Sequence, residues 1–337
     1  MVGPGSAAAR QLRDPGGDLT TSLHQLTAAA VAEVESVIRG YVRLTPAVTV
    51  DRAELGLAPG PLTFKLEQLQ HSGSFKVRGA FANLLLRDLP AAGVAAASGG
   101  NHGAAVAYAA GVLGVPARIF VPEVSSPAKV SRIRGYGADL VVTGTTYSEA
   151  LAASRDWASG TGALEVHAFD QPETILGAGT VGLELSRQAG ELTTVLTPVG
   201  GGGLLAGTAT AYSQARPPVR IIGAEPDGAP TMSRALAAGA PVDAPAGSVA
   251  VDSLAPRQVG EFTLAVAAKL VDSVVLVSDD AILAAQQLLW ERLRIVAEPG
   301  ACAPLAALSS GAYSPGPDEH VGVVISGANT TAVDFTR

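Results

Sequence analysis

Apolar residues at Val31, Val34 and Ile38 recur at spacings of three and four, the period of one face of a helix. Thr27 ahead of them is placed to cap that helix, and Gly40 behind them to stop it in a left-handed conformation. A second helical run covers 81–86. Beyond it, short β-branched stretches alternate with helical ones at 94–97, 104–113, 118–121, 128–134, 140–142 and 148–153. Pro127 after Ser126 marks a capped helix start, and Gly137 its end. Such alternation predicts βαβ units and a parallel sheet. From Gln171 the helices lengthen, and strands predicted at 194–196, 219–223, 273–277 and 321–325 make a second sheet.

Composition narrows the function classes. A chain of 337 residues, 47% hydrophobic and 16% charged, buries a large core and fits two compact units better than one. Its net charge of −7, without a dense Lys/Arg cluster, argues against a nucleic-acid or anionic-membrane partner, both of which need a positive footprint. The single cysteine, Cys302, excludes an internal disulfide framework and reads as a small buried thiol in a reducing compartment. Residues 1–22, rich in Gly, Ala, Pro and Asp, lack the apolar core of a secretory signal and are expected to be a disordered tail. No apolar run approaches the roughly 18 residues of a membrane span. A soluble, cytoplasmic protein is expected.

Candidate chemistry gathers at three places. Lys76 sits between apolar neighbours just before the 81–86 run. Desolvation there lowers an ammonium's pKa, as a lysine that attacks a carbonyl requires, while a lysine snorkelling at a helix start is the plainer alternative. Gly200-Gly201-Gly202-Gly203-Leu204 joins a strand to a helical run. Its backbone amides and the helix dipole suit a phosphate, and a tight turn alone needs one or two glycines, not four. Ser98-Gly99-Gly100-Asn101-His102 ends another strand and suits a carboxylate. Two patterns are set aside. Gly177-Ala178-Gly179-Thr180-Val181-Gly182 fits G-x-G-x-x-G, but no strand precedes it and no acid follows near Thr197 to take a ribose. The histidines at 24, 71, 102, 167 and 320 lack metal-ligand spacing, so no metal is expected.

Ser74-Phe75-Lys76-Val77-Arg78-Gly79-Ala80, with Lys65-Leu66-Glu67, the two glycine loops, Ala297-Glu298-Pro299-Gly300-Ala301 and Ile325-Ser326-Gly327-Ala328-Asn329, resembles the pyridoxal-phosphate-dependent serine/threonine dehydratase family, which includes serine racemases. The similarity runs from about residue 34 to 330. It implies an α/β fold of two domains with twisted parallel-type sheets flanked by helices and the cofactor in the cleft between them. The larger domain would be 23–90 with 165–337, the small inserted one 91–164, and the assembly a homodimer formed through the larger. By the same resemblance Lys76 carries pyridoxal 5'-phosphate as a Schiff base and serves as the base for the α-proton. Phe75, Asn101, Gly200, Gly201, Gly202, Gly203, Leu204, Glu298 and Ser326 would hold the cofactor, with Asn101 on its 3′-oxygen, Glu298 near the ring edge and Ser326 at the pyridine nitrogen. Ser98, Gly99, Gly100, Asn101 and His102 would grip the substrate carboxylate. Glu298 reads equally well as an acid at a helix start.

A hydroxyl at the pyridine nitrogen, in place of an Asp, favours β-elimination over transamination. The activity implied is dehydration and deamination of a β-hydroxy L-amino acid such as threonine or serine, with the cofactor phosphate protonating the leaving hydroxyl. Threonine, serine, 3-hydroxyaspartate and phenylserine all stay open as substrates. A β-replacement synthase has different lysine and loop motifs, and an inactive cofactor-binding protein would not need Lys76, the four glycines and Ser326 together. Gly99 stands where racemases of this family place a serine, so racemisation is not expected. The racemase-like metal segment matches at Glu225 and Ala229, but Thr231 replaces an acid; with one carboxylate fewer, a site needing about six oxygens should be absent or weak. The chain ends at Arg337, soon after Ser326, so an isoleucine-binding regulatory domain is not expected either.

Overall fold

The computed structural model describes residues 23–125, 127–254 and 256–330. The tail expected at 1–22 and the cap at Ser126 lie outside them. In chain order the strands are β1 (Ala47–Asp51), β2 (Pro61–Leu66), β3 (Val94–Ala97), β4 (Ala117–Val121), β5 (Asp139–Val142), β6 (Leu164–Glu165), β7 (Thr194–Pro198), β8 (Arg220–Pro226), β9 (Ser273–Val277) and β10 (Val321–Ile325). They form a six-stranded sheet, β1-β2-β10-β7-β8-β9, and a four-stranded sheet, β5-β4-β3-β6. All pairings are parallel except β1 with β2.

Around the sheets lie α1 (Ala28–Ile38), α2 (Lys76–Leu86), α3 (Asn101–Leu113), α4 (Pro127–Gly135), α5 (Tyr147–Thr161), α6 (Pro172–Gln188), α7 (Gly203–Tyr212), α8 (Thr231–Ala238), α9 (Val251–Leu254), α10 (Glu261–Leu270), α11 (Asp279–Leu293) and α12 (Ala303–Ser309). β7 and β10 are buried along their whole length, as central strands covered on both faces must be.

Three strands were not among those predicted from the sequence. β1 is a partly exposed edge strand, β6 is two residues long, and β2 opens on a proline and carries Lys65 in its interior. α1 is capped as expected, the Thr27 hydroxyl accepting from the Ala30 amide at 3.1 Å. Its end differs from expectation: Gly40 is not left-handed, and the last turn closes at Arg39, right-handed at φ −50°, whose guanidinium meets Glu35 at 2.6 Å. The G-x-G-x-x-G run lies inside α6, where the missing side chains permit close helix packing. A Cβ on Gly177 would stand 2.7 Å from the Arg78 carbonyl oxygen, and one on Gly179 2.8 Å from that of Gly207.

β10 enters between β2 and β7, with Val321 opposite both Leu62 and Thr194. This pairing brings the segment after β2, with Lys76, beside the segment after β10, with Ser326.

Candidate active site

Residues 73–75 are strapped to the end of β10. Phe75 donates its amide to the Ser326 carbonyl at 3.0 Å, Ala328 donates to Gly73 at 3.0 Å, and Ser74 bridges Gly327. The helix starts earlier than its apolar run suggests, so Lys76 is the first residue of α2. Its Nζ donates to the Ala168 carbonyl at 2.6 Å and lies 5.2 Å from the centre of the Phe75 ring. The amine thus turns into the cleft instead of reaching out to bulk water. Desolvation lowers its pKa to about 8, against the opposing pull of the Glu298 carboxylate.

A buried ionic cluster anchors this helix start. Arg78 donates from Nε to Glu67 at 2.7 Å and from Nη1 to Glu184 at 2.7 Å. Lys65 donates to Glu184 at 2.7 Å, to the Thr45 carbonyl at 2.8 Å and to Gln188 at 2.9 Å, and the Thr45 hydroxyl donates to Glu67. Two cations and two carboxylates balance in a space where no member's side chain is more than 5% exposed. Sequence reasoning quoted Lys65, Glu67 and Arg78 without assigning a role and missed Glu184, which lies far along the chain on α6.

The carboxylate-type loop sits at the end of β3, and α3 begins at Asn101, ahead of the helix predicted from Ala104. No side chain caps α3; the Gly100 amide donates to the Ser98 hydroxyl at 3.2 Å. Asn101 donates to Glu298 Oε1 at 2.6 Å, Asn329 donates its side-chain amide to Asn101 Oδ1 at 2.6 Å, and the Asn329 backbone N–H reaches Glu298 Oε2 at 3.2 Å. Glu298 precedes the helical turn Pro299–Cys302 but makes no capping bond to it. Burial pushes its carboxyl up to about 7, with Asn101 and Asn329 pulling the other way. The His102 ring is bonded to the Val166 carbonyl at 2.8 Å, and burial first, then the Lys76 charge, holds its pKa down to about 3. A neutral ring engaged there leaves the His102 backbone N–H, not the imidazole, as its means of contacting a ligand. A Cβ on Gly99 would stand 2.5 Å from the Ser125 hydroxyl oxygen.

The four-glycine loop leads from β7 into α7, and no side chain caps that helix either. Gly202 is left-handed at φ +89°, and Gly201 lies against the Phe169 ring where any side chain would collide. Thr263 pins the loop by donating to the Gly201 carbonyl at 2.9 Å. Leu204 points into the core, 4% exposed, and so contributes through its backbone and not its side chain. Ser326 is a buried residue whose hydroxyl makes no hydrogen bond among the described residues. A reactive amine, an uncapped glycine-lined helix start and an unbonded hydroxyl at a strand end form a donor set that fits an aldehyde-bearing pyridine with a phosphate arm.

A cavity at the start of α3 joins Asn101, Glu298 and Asn329 to Lys129, Arg132 and Asp252. The last three were not read from sequence, because only folding carries α4 and α9 to this place. Among the described residues no cluster of three His, Cys, Asp or Glu side chains could hold a metal. Both Glu225 oxygens accept backbone amides at the start of α8, from Met232 at 2.9 Å and Ser233 at 2.8 Å, and the Thr231 hydroxyl donates toward the Ala229 carbonyl at 3.2 Å. Cys302 is buried, and burial pushes its thiol up to about 12, out of reach of thiolate chemistry at neutral pH.

The model of the pyridoxal-phosphate dependent enzyme family matches residues 38–327. The chain is 39% identical to phenylserine dehydratase of Ralstonia pickettii over 323 residues, 94% of this chain and 97% of that protein. The structure of a T.th. threonine deaminase superimposes with a TM-score of 0.84 at 38% identity, covering 92% of this chain and 100% of that one. Maize serine racemase superimposes with a TM-score of 0.84 at 33% identity, over 92% of this chain and 94% of that one. The family match spans Lys76, both amide-lined helix starts and Ser326, and the chain belongs to the pyridoxal-phosphate dependent enzyme family.

Proposed function

We propose that this protein is a lyase that dehydrates and deaminates a β-hydroxy L-amino acid, such as threonine or serine, to a 2-oxo acid and ammonia. The observation that carries the reading is the Lys76 amine, its pKa brought down to about 8 at the head of α2. Pyridoxal phosphate, when bound, supplies the electron sink that makes the α-proton removable. Lys76 and Phe75 would hold its reactive end, Asn101, Glu298 and Ser326 its ring, and the backbone of Gly200 to Leu204 its phosphate.

The chain's own residues divide the remaining work. At pH 7 an amine of pKa near 8 is about one-tenth unprotonated, several hundred times the fraction of an ordinary lysine, so Lys76 is available as the α-proton base. The uncapped amides of Asn101 and His102, with the Ser98 hydroxyl and the Gly100 amide that donates to it, would orient the substrate carboxylate. Glu298, with a pKa near 7, holds a proton in part of the population at neutral pH. Gly99 carries no acid for the opposite face, which supports elimination over racemisation. The strands of the smaller sheet fall within 94–165, which supports a small inserted domain whose last strand runs one residue past the expected bounds of 91–164, within a larger domain expected at 23–90 and 165–337. We assign it to the cytoplasm as a homodimer; no helix among the described residues is long and apolar enough to cross a membrane.

The test is turnover of L-serine and L-threonine by the pyridoxal-phosphate-loaded protein, with chiral analysis of residual serine. Ammonia and 2-oxo acid should form without comparable D-serine, and Lys76→Ala should lose several orders of magnitude in rate. A near-normal Lys76→Ala rate would place the base elsewhere, and D-serine forming as fast as pyruvate would make the enzyme a racemase.

A further inference from the structure

The cavity at the start of α3 holds a guanidinium in addition to the amides that would take one amino-acid carboxylate. Its walls bring together the Gly99–Asn101 backbone, Lys129 and Arg132 from α4, Asp252 from α9, and Glu298. These charges are not equally committed. Lys129 Nζ pairs with Asp252 at 2.6 Å. Glu298 is taken up by Asn101 and Asn329, and its raised pKa near 7 halves its negative charge at neutral pH. Arg132, half-buried, makes no hydrogen bond or ion pair with any described residue. One guanidinium is therefore left over, facing the same cavity as the amides that would take the substrate's α-carboxylate.

A guanidinium presents a rigid fork of donors that matches a carboxylate bidentately. The cavity wall also lacks what a hydrophobic β-substituent requires: among the described residues Ala104 is its only apolar side chain, and no aromatic or branched aliphatic group lines it. A phenyl or methyl group would displace water from charged groups and receive little packing in return. We propose that the site is built for a β-hydroxy amino acid that carries a second carboxylate on its β-carbon, with Arg132 as the residue that pairs with that carboxylate.

The proposal rests on the β-elimination reading and fixes its substrate class. In the reaction the α-C–H and β-C–O bonds break, a carbon–carbon double bond forms, and the hydroxyl leaves as water. Hydrolysis of the resulting enamine, through its imine, consumes one water and releases ammonia and a 2-oxo diacid. No oxidant or reductant enters.

The test compares kcat/KM for 3-hydroxyaspartate, L-threonine, L-serine and phenylserine, in the loaded full-length protein and in Arg132→Gln and Arg132→Lys. 3-Hydroxyaspartate should be preferred, and Arg132→Gln should reduce its kcat/KM relative to that for threonine at least tenfold, mostly through KM, with Arg132→Lys in between. Preference for threonine or phenylserine overturns the proposal. So does an unchanged ratio in Arg132→Gln, which would mean that Arg132 serves the α-carboxylate, the cofactor or the fold. A second readout needs no turnover: L-aspartate, which has no hydroxyl to lose, should raise the thermal midpoint more than L-alanine does, and the difference should vanish in Arg132→Gln. Equal shifts from both ligands in the unmodified protein overturn the proposal even if turnover is absent. Ammonia from none of the four substrates, with the aspartate preference intact, would instead overturn β-elimination and leave the charge assignment standing.

Discussion

Lys76 shows how a single residue's reactivity works against stability. Its ammonium titrates near 8 in the fold, against 10.5 for the unperturbed group. Below about pH 8 both native and unfolded chains carry the proton, and the native state bears the desolvation cost. Between about 8 and 10.5 the native lysine is neutral while the unfolded one still binds its proton, so stability rises with pH across that window. At roughly 1.4 kcal/mol per pKa unit the effect has a ceiling of about 3.5 kcal/mol, lowered by whatever water the open cleft admits. Cofactor-free Lys76→Met should accordingly resist urea better than the cofactor-free parent at pH 7, and the advantage should shrink toward pH 10. A variant less stable at both pH values would show that the amine's contacts outweigh its desolvation.

At the scale of elements, the head of α2 is held by ionic pairing more than by helix propensity. Arg78, two residues past Lys76, ties α2 to Glu67 after β2 and to Glu184 on α6. Arg78→Ala leaves two buried carboxylates facing Lys65 alone and should cost about 3–5 kcal/mol in urea unfolding. Arg78→Lys, which keeps the charge but not the fork, should fall between. A loss under roughly 1 kcal/mol for Arg78→Ala would mean that water reaches the cluster and the pairing is worth no more than a surface bridge. The motif that pointed to Lys76 in the sequence thus has a second, mechanical content: Lys65, Glu67 and Arg78 hold the start of the helix that carries Lys76. Glu184 could not be read from the sequence, since a glutamate in a 17-residue helix is most often a solvated one.

For the whole molecule, the two sheets point their site-forming loops at common ground. The ends of β3, β7 and β10 lead into Ser98–Asn101, Gly200–Gly203 and Ser326, the arrangement in which ligands of open α/β sheets bind. Outside the site, Leu44 is 72% exposed, with Leu69 at 48% and Val48 at 40% in neighbouring segments of the larger sheet's edge. Apolar surface of this kind fits a partner copy. Sedimentation equilibrium should return about twice 33.8 kDa, and Leu44→Lys should shift the protein toward monomer. A monomeric parent protein would remove the dimer.

Most strands and helices were legible because burial on a sheet or helix face imposes a period on the chain, and a period survives in one dimension. The strands at 273–277 and 321–325 match their predicted bounds. The glycine loops and the lysine were legible because amide-lined turns and a lysine set among apolar neighbours are local patterns. The rest depended on distance along the chain. β1 and β2 do alternate, as Val48-Thr49-Val50-Asp51 and Leu62-Thr63-Phe64-Lys65-Leu66, but the pattern would turn Lys65 toward solvent, whereas the fold buries it against Thr45, Glu184 and Gln188. The ring of His102 is bonded to the Val166 carbonyl, which no reading of its own loop would show. Glu298 owes its raised pKa to burial, and Arg132 reached the cavity on a helix that the sequence marked only as a run at 128–134 with a start at Pro127. Charge, unlike hydrophobic period, acquires its meaning from what the fold places within a few ångströms, and that is decided by the tertiary structure alone.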